Sequence, residues 1–255
     1  MILGFSPNGP SASQKYLLNR GCASPFVVGG TGGSGTRLVV QLLRSIGVNM
    51  GAQCNGAGDA IAFINVYSKW VNPYLSGDIA LGELDLDLLQ AIQGHGECNE
   101  AWGWKNPRSI FLWPAFAQLI PGCRFIHVVR DGLSMATSAN QNQLRQHGQA
   151  LLGDDFNNLS ETARSLLMWA KVNARAFEFG QQIGSRYQLL RIEDVFEDPP
   201  GEQERLARQL GLGLSSRLEV DIKPRRKREV TLSDFPSQVA EEVAPVLARF
   251  GYACK

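Results

Sequence analysis

Apolar residues follow two rhythms along this chain. Phe26, Val27 and Val28 form a short unbroken run that stops at Gly29-Gly30, whereas Leu38, Val39, Leu42, Leu43 and Ile46 recur at three- and four-residue intervals. The first pattern predicts a buried strand and the second a helix, with a glycine-rich loop between them. The alternation continues downstream. Leu84 to Ile92 reads as a short amphipathic helix, Trp102 and Trp104 alternate as in a strand that ends at Pro107, and residues 110–119 read as a helix stopped by Pro121-Gly122. Arg124 to Arg130 has the composition of a buried parallel strand, and a helix carrying Ser134 and Ser138 follows it. A long helix is expected over residues 161–183. Strands alternating with helices predict an α/β fold, here a single three-layer domain with a central parallel sheet of about five strands and helices on both faces.

The segments between these elements are less regular. Residues 51–82 mix Asn, Gly and Asp with Phe63, Tyr67, Trp70 and Tyr74, which predicts a partly helical cap over the sheet edge, joined by residues 140–165. Such a cap can wall an acceptor pocket, in which Tyr67, Trp70, Tyr74 and Trp102 would suit a sugar ring or a flat natural product; alternatively Phe63 and Trp70 are ordinary core. The first 24 residues, with Pro7, Pro10 and several serines, lack the basic start and apolar core of a secretory signal and read as a surface tail, leaving 25–255 as the domain.

Composition narrows the partners. With 255 residues and 44% apolar content the chain can bury one large core. A net charge of +1 gives no global field for nucleic acid or anionic membrane, so anion chemistry must rest on local clusters. No apolar run approaches the roughly 18 residues of a membrane span. Five cysteines, odd in number and without paired spacing, predict reduced thiols in a cytoplasmic protein, and the three histidines form no metal-ligand spacing with them. No metal site is expected.

The loop at Gly30, Gly32, Gly33 and Gly35 removes side chains that would keep an anion from the backbone, and the helix that follows aims free amides at it. Three readings compete. Gly30-x-Gly32-x-x-Gly35 matches a dinucleotide fingerprint, but that fingerprint wants an acidic residue after the next strand, where Val48-Asn49-Met50-Gly51 stands. A nucleoside-triphosphate loop wants Lys and Ser/Thr where Thr36 and Arg37 stand. A mere glycine turn packing helix on sheet is the third. Elsewhere, Lys105 and Arg108 flank Pro107 at the mouth of a strand, as functional groups or as solvated charges, and Asp59 is either a helix cap or a general base. Arg130 leaves the sheet at its carboxyl edge, and Ser138 lies about two helical turns behind, so both can reach one phosphate. His127, inside its strand, reads as a satisfied core histidine.

The loop with Ser34-Gly35-Thr36, followed by an apolar strand ending in Arg130 with Ser138 eight positions on, resembles the sulfotransferases that use 3'-phosphoadenosine 5'-phosphosulfate. The resemblance implies a P-loop-like phosphosulfate-binding loop of Gly32, Gly33, Ser34, Gly35, Thr36 and Arg37, with Arg130 and Ser138 on the 3'-phosphate. It continues, less sharply, to residue 229: Tyr187 to Ile192 looks like the late strand of the family, with Ile192 where many members carry a tyrosine against adenine. Arg225, Arg226 and Lys227 look like the basic loop over the 3'-phosphate. Cytosolic members carry a lysine where this chain has Gly33, and their catalytic histidine falls at Pro107. The resemblance therefore leaves Lys105 as the cation for the bridging oxygen, Arg37 for the 5'-phosphate, and Asp59 as the base. It implies transfer of a sulfuryl group, without a metal, to a hydroxyl or amine of a small-molecule or carbohydrate acceptor. The alternatives are a metal-dependent nucleotide or small-molecule kinase and a non-catalytic nucleotide-binding module. The oligomeric state has no signature in the sequence.

Overall fold

The computed structural model describes residues 9–216, except 97 and 99, and residues 230–253. Its centre is a parallel sheet of four strands, β1 (Phe26–Gly30), β2 (Gly103–Lys105), β3 (Arg124–Val129) and β4 (Tyr187–Arg191), in the order β2-β1-β3-β4. About five strands were expected; among the described residues there are four, with a single parallel bridge from Asn49 to Trp102 at the outer edge. In chain order the helices are α1 (Ala12–Asn19), α2 (Thr36–Ser45), α3 (Ile64–Ser76), α4 (Leu81–His95), α5 (Ser109–Leu119) and α6 (Gly132–Ala136). They continue with α7 (Asn142–Leu152), α8 (Asp155–Asn158), α9 (Glu161–Ile183), α10 (Ile192–Glu197), α11 (Pro199–Leu210) and α12 (Ser237–Arg249).

The three layers follow from the period of two along each strand. Phe26 and Val28 of β1, with Ile126 and Val128 of β3, join one core with residues of α2 and α11, while Val27, Phe125 and Val129 join the other with residues of α3, α4, α5, α9 and α12. Both faces of a parallel strand are covered by helices, so every residue of β1 is buried. His127 sits inside this packing with Nδ1 2.7 Å from the Tyr187 hydroxyl and Nε2 2.7 Å from Asn173 Oδ1, a satisfied core histidine.

Two expectations about the chain outside the sheet give way. The first 24 residues are not simply a surface tail: from Ala12 they form α1, whose cap Ser11 donates to the Leu119 carbonyl at 2.7 Å and whose Ser13 amide donates to Asp85 at 3.1 Å, with Leu17 buried. The partners that hold this helix lie more than 70 residues away, where no local pattern reveals them. Cys22 and Cys98 form a disulfide between the end of α1 and the end of α4, so these two thiols are not reduced; a sequence separation of 76 residues hides the pairing until the fold brings their Cα atoms to 5.3 Å. Cys54 and Cys123 are free. The cap of residues 51–82 is built on α3, but Phe63, Tyr67 and Trp70 are core, exposed by 4% or less, and Trp102 is likewise buried. Among the described residues no helix is long and apolar enough to cross a membrane.

Candidate functional site

β1 delivers the glycine loop to the carboxyl edge of the sheet, and the local sequence dictates its shape. A β-carbon on Gly30 would stand 2.4 Å from the Val128 carbonyl, and one on Gly35 would stand 2.4 Å from Ile192, where φ is also +91°. Gly33 adopts φ +99°. The chain can therefore turn tightly into α2 only with glycine at these places. Among the described residues the amides of Gly35, Thr36 and Arg37 have no hydrogen-bond acceptor, as the start of a helix requires, and neither has that of Gly33, two residues before the cap. Four such donors at and just before a positive helix end, with Arg37 exposed and without an ion pair among the described residues, concentrate positive potential at the loop.

Two members of the expected set face inward instead. The Ser34 side chain is fully buried, its amide donates to the Thr31 carbonyl at 3.0 Å, and its hydroxyl has no partner among the described residues. The Gly32 amide is taken by Gln143 of α7, whose Oε1 accepts it at 2.8 Å while Nε2 donates to the Gly30 carbonyl at 3.4 Å. Gln143 thus braces the loop across two peptide groups. The sequence offers no sign of this residue, because a glutamine in an amphipathic helix looks like any other polar position.

On the far side of the loop stands the end of β3. Arg130 Nη1 donates to the Gly33 carbonyl at 3.3 Å, and Ser138 Oγ lies 3.5 Å from where a Gly33 β-carbon would be. Ser138 is not two turns into a helix as expected: α6 ends at Ala136, and the Ser138 amide closes the end by donating to the Met135 carbonyl at 3.1 Å. The hydroxyl reaches the loop because the helix stops. Ile192 is fully buried against Gly35 at the start of α10, so it presents no surface to a base.

The edge strand β2 closes the third side. Lys105 is paired in register with Val28 and is 97% buried, with its ammonium donating to Asp59 Oδ1 at 2.7 Å and to the Ala57 carbonyl at 2.8 Å. Asn55 holds the other Asp59 oxygen at 3.2 Å and accepts the Ala57 and Asp59 amides, fixing the 55–59 turn. Burial pushes the Lys105 pKa below its ordinary value; the Asp59 carboxylate opposes the shift and Arg37 adds to it, which puts Arg37 within electrostatic reach. Arg108 turns the other way, over the Tyr67 ring and onto the Ser68 hydroxyl at 3.1 Å. Arg225, Arg226 and Lys227 lie outside the described residues.

A free-amide loop, an arginine and a serine converging on Gly33, and a lysine on the neighbouring strand form one cluster at one sheet edge. The sequence model of the sulfotransferase family matches residues 25–216, the stretch that supplies all of them. The chain belongs to the sulfotransferase family. Among curated proteins, the omega-hydroxy-beta-dihydromenaquinone-9 sulfotransferases Stf3 of Mycobacterium bovis and Mycobacterium tuberculosis are 31% identical over 114 residues, 43% of this chain and 28% of theirs. The matched part therefore spans under a third of those relatives. Among solved structures, the sulfotransferase STF9 from Mycobacterium avium superposes with a TM-score of 0.57 at 13% identity, covering 94% of this chain and 82% of that one. The sulfotransferase domain of the Synechococcus PCC 7002 olefin synthase gives 0.55 at 13% identity, covering 98% and 99%. At such identity the superpositions establish the fold of this sulfotransferase, a single α/β domain with a P-loop-like loop, and nothing finer.

Proposed function

We propose that this sulfotransferase moves a sulfuryl group from 3'-phosphoadenosine 5'-phosphosulfate to a hydroxyl or amine of a small-molecule or carbohydrate acceptor. The observation that carries the reading is the convergence on Gly33: Arg130 and Ser138 come to one side of a loop whose outer amides lack acceptors. A 3'-phosphate between Arg130 and Ser138 and a 5'-phosphate on the amides of Gly33, Gly35, Thr36 and Arg37 are served by separate groups of this chain. Gly32 and Ser34, with Gln143, act as the scaffold that keeps those amides aimed.

The donor supplies the sulfuryl group and a phosphate leaving group; positioning and charge come from the chain. Lys105 has three N–H bonds, of which Asp59 and Ala57 engage two, so the third is available to the bridging oxygen, where negative charge grows as its bond to sulfur breaks. Arg37 carries charge to the 5'-phosphate. The acceptor oxygen or nitrogen bonds to sulfur and gives up its proton to Asp59, whose carboxylate Lys105 and Asn55 hold in place. By its name, the Stf3 relative acts on a hydroxylated menaquinone derivative, which supports a small-molecule hydroxyl as acceptor here.

The test is thermal stability with adenosine 3',5'-bisphosphate beside adenosine 5'-diphosphate, each with and without magnesium. At a hundredfold excess over its Kd the first ligand should stabilise by about 2.7 kcal/mol and raise Tm by roughly 5 to 11 °C, indifferent to magnesium. A shift only with the 5'-diphosphate and magnesium would refute the donor assignment and favour a kinase. Binding of the bisphosphate without sulfate transfer to any acceptor would leave a nucleotide-binding module.

A further inference from the structure

On the sheet face opposite α2, a cavity of about 380 Å³ opens between the end of α3, the length of α5 and the second half of α9. Its walls are mainly apolar, with Leu75, Phe111, Ala117, Val172, Ala176 and Phe179 among them, and no residue of the glycine loop, nor Lys105 or Asp59, takes part. Protein interiors hold few voids larger than a water molecule, and this volume lies in the range of small-molecule sites. Trp113 and Gln118, whose Nε1 and Oε1 have no hydrogen-bond partner among the described residues, also line it.

The polar end of the cavity is cationic. Arg175 lines it, exposed and without a carboxylate within 4 Å among the described residues, whereas Glu178 on the same wall is engaged by Arg249 at 3.4 Å. Tyr74 shares this end; burial pushes its pKa up and the nearby Arg175 pulls it down, so phenol and guanidinium lie within electrostatic reach. We propose that this cavity is a second binding site, for an amphipathic anion whose apolar chain lies along α5 between α3 and α9 and whose carboxylate-like head meets Arg175 and the Tyr74 hydroxyl. The apolar lining gives affinity and Arg175 gives the preference for a negative head. The proposal does not depend on the sulfuryl donor.

The probe is 11-bromoundecanoate, whose bromine quenches nearby tryptophan fluorescence, with 11-bromoundecanol as the uncharged control. The expected result is saturable quenching of the wild-type protein, most of it lost in Trp113→Phe. Arg175→Glu, a change at an exposed position, should weaken the carboxylate by roughly five- to tenfold and leave the alcohol unchanged. Ala176→Phe should fill the cavity and abolish both, and a wild-type circular dichroism spectrum with a cooperative thermal melt reports an intact fold in each variant. Absence of saturable quenching in the wild type, quenching retained in Trp113→Phe, or equal affinity for carboxylate and alcohol in Arg175→Glu and wild type would overturn the assignment.

Discussion

Replacing Gln143 by alanine tests whether the loop is held from α7. The change removes the 2.8 Å bond to the Gly32 amide and the 3.4 Å bond to the Gly30 carbonyl. Each such bond is worth about 0.5–1.5 kcal/mol net, and an orphaned donor costs about 1–3 kcal/mol where water cannot reach it. A cavity of about 20 Å³ lined by Thr31, Gly32 and Gln143 already adjoins the site, enough for one water, so rehydration offsets part of the loss. We therefore expect Gln143→Ala to cost about 1–2 kcal/mol, a Tm lower by about 2–8 °C. The freed loop must also be ordered when an anion binds, which should raise the Kd for adenosine 3',5'-bisphosphate by roughly five- to thirtyfold. Gln143→Glu keeps the acceptor for Gly32, loses the donor to the Gly30 carbonyl, and sets a carboxylate beside the anion site. At about 8 Å and an effective dielectric constant of about 20 the repulsion is about 2 kcal/mol, a factor of about 30 in Kd. Isothermal titration and thermal melts of the three proteins decide it. If both variants match the wild type in Kd, the brace is incidental.

Asp59→Asn should abolish turnover while leaving the affinity for adenosine 3',5'-bisphosphate near wild type; sulfate transfer at the normal rate would remove Asp59 from the chemistry. Gly35→Ala forces a side chain into φ +91° and within 2.4 Å of Ile192, which should destabilise by about 2–5 kcal/mol in urea unfolding, and a midpoint equal to that of the wild type would contradict the loop geometry. Burial pushes His127 and His147 down to about 4. Their folded pKa lies below the unfolded value near 6.5, so the stabilisation is present above pH 6.5 and is lost as pH falls from there through 4, by about 3 kcal/mol for each ring. An NMR titration in which either imidazole protonates above pH 6 would refute it.

What the sequence by itself determined is what lies close along the chain. Strand, glycine loop and helix from Phe26 to Ser45 follow from apolar period and from positions that only glycine can occupy, and Arg130 with Ser138 could be named because one strand end and the short helix behind it join them. The α/β layering was legible for the same reason: alternating strands and helices leave few ways to bury both faces of a parallel sheet. Tertiary structure alone decided the rest. It paired Lys105 with Asp59, two candidates that sequence could name only separately, although burying the lysine makes that partner nearly obligatory. It drew Gln143 onto a loop 111 residues away, joined Cys22 to Cys98, seated α1 on Asp85, and turned Tyr67 and Trp70 into core rather than pocket wall. Each of these rests on a contact whose two halves are far apart in the chain, and each half alone is chemically ordinary. Local propensity carries no record of such meetings; only packing that satisfies the buried polar groups and apolar faces of the whole chain together selects them.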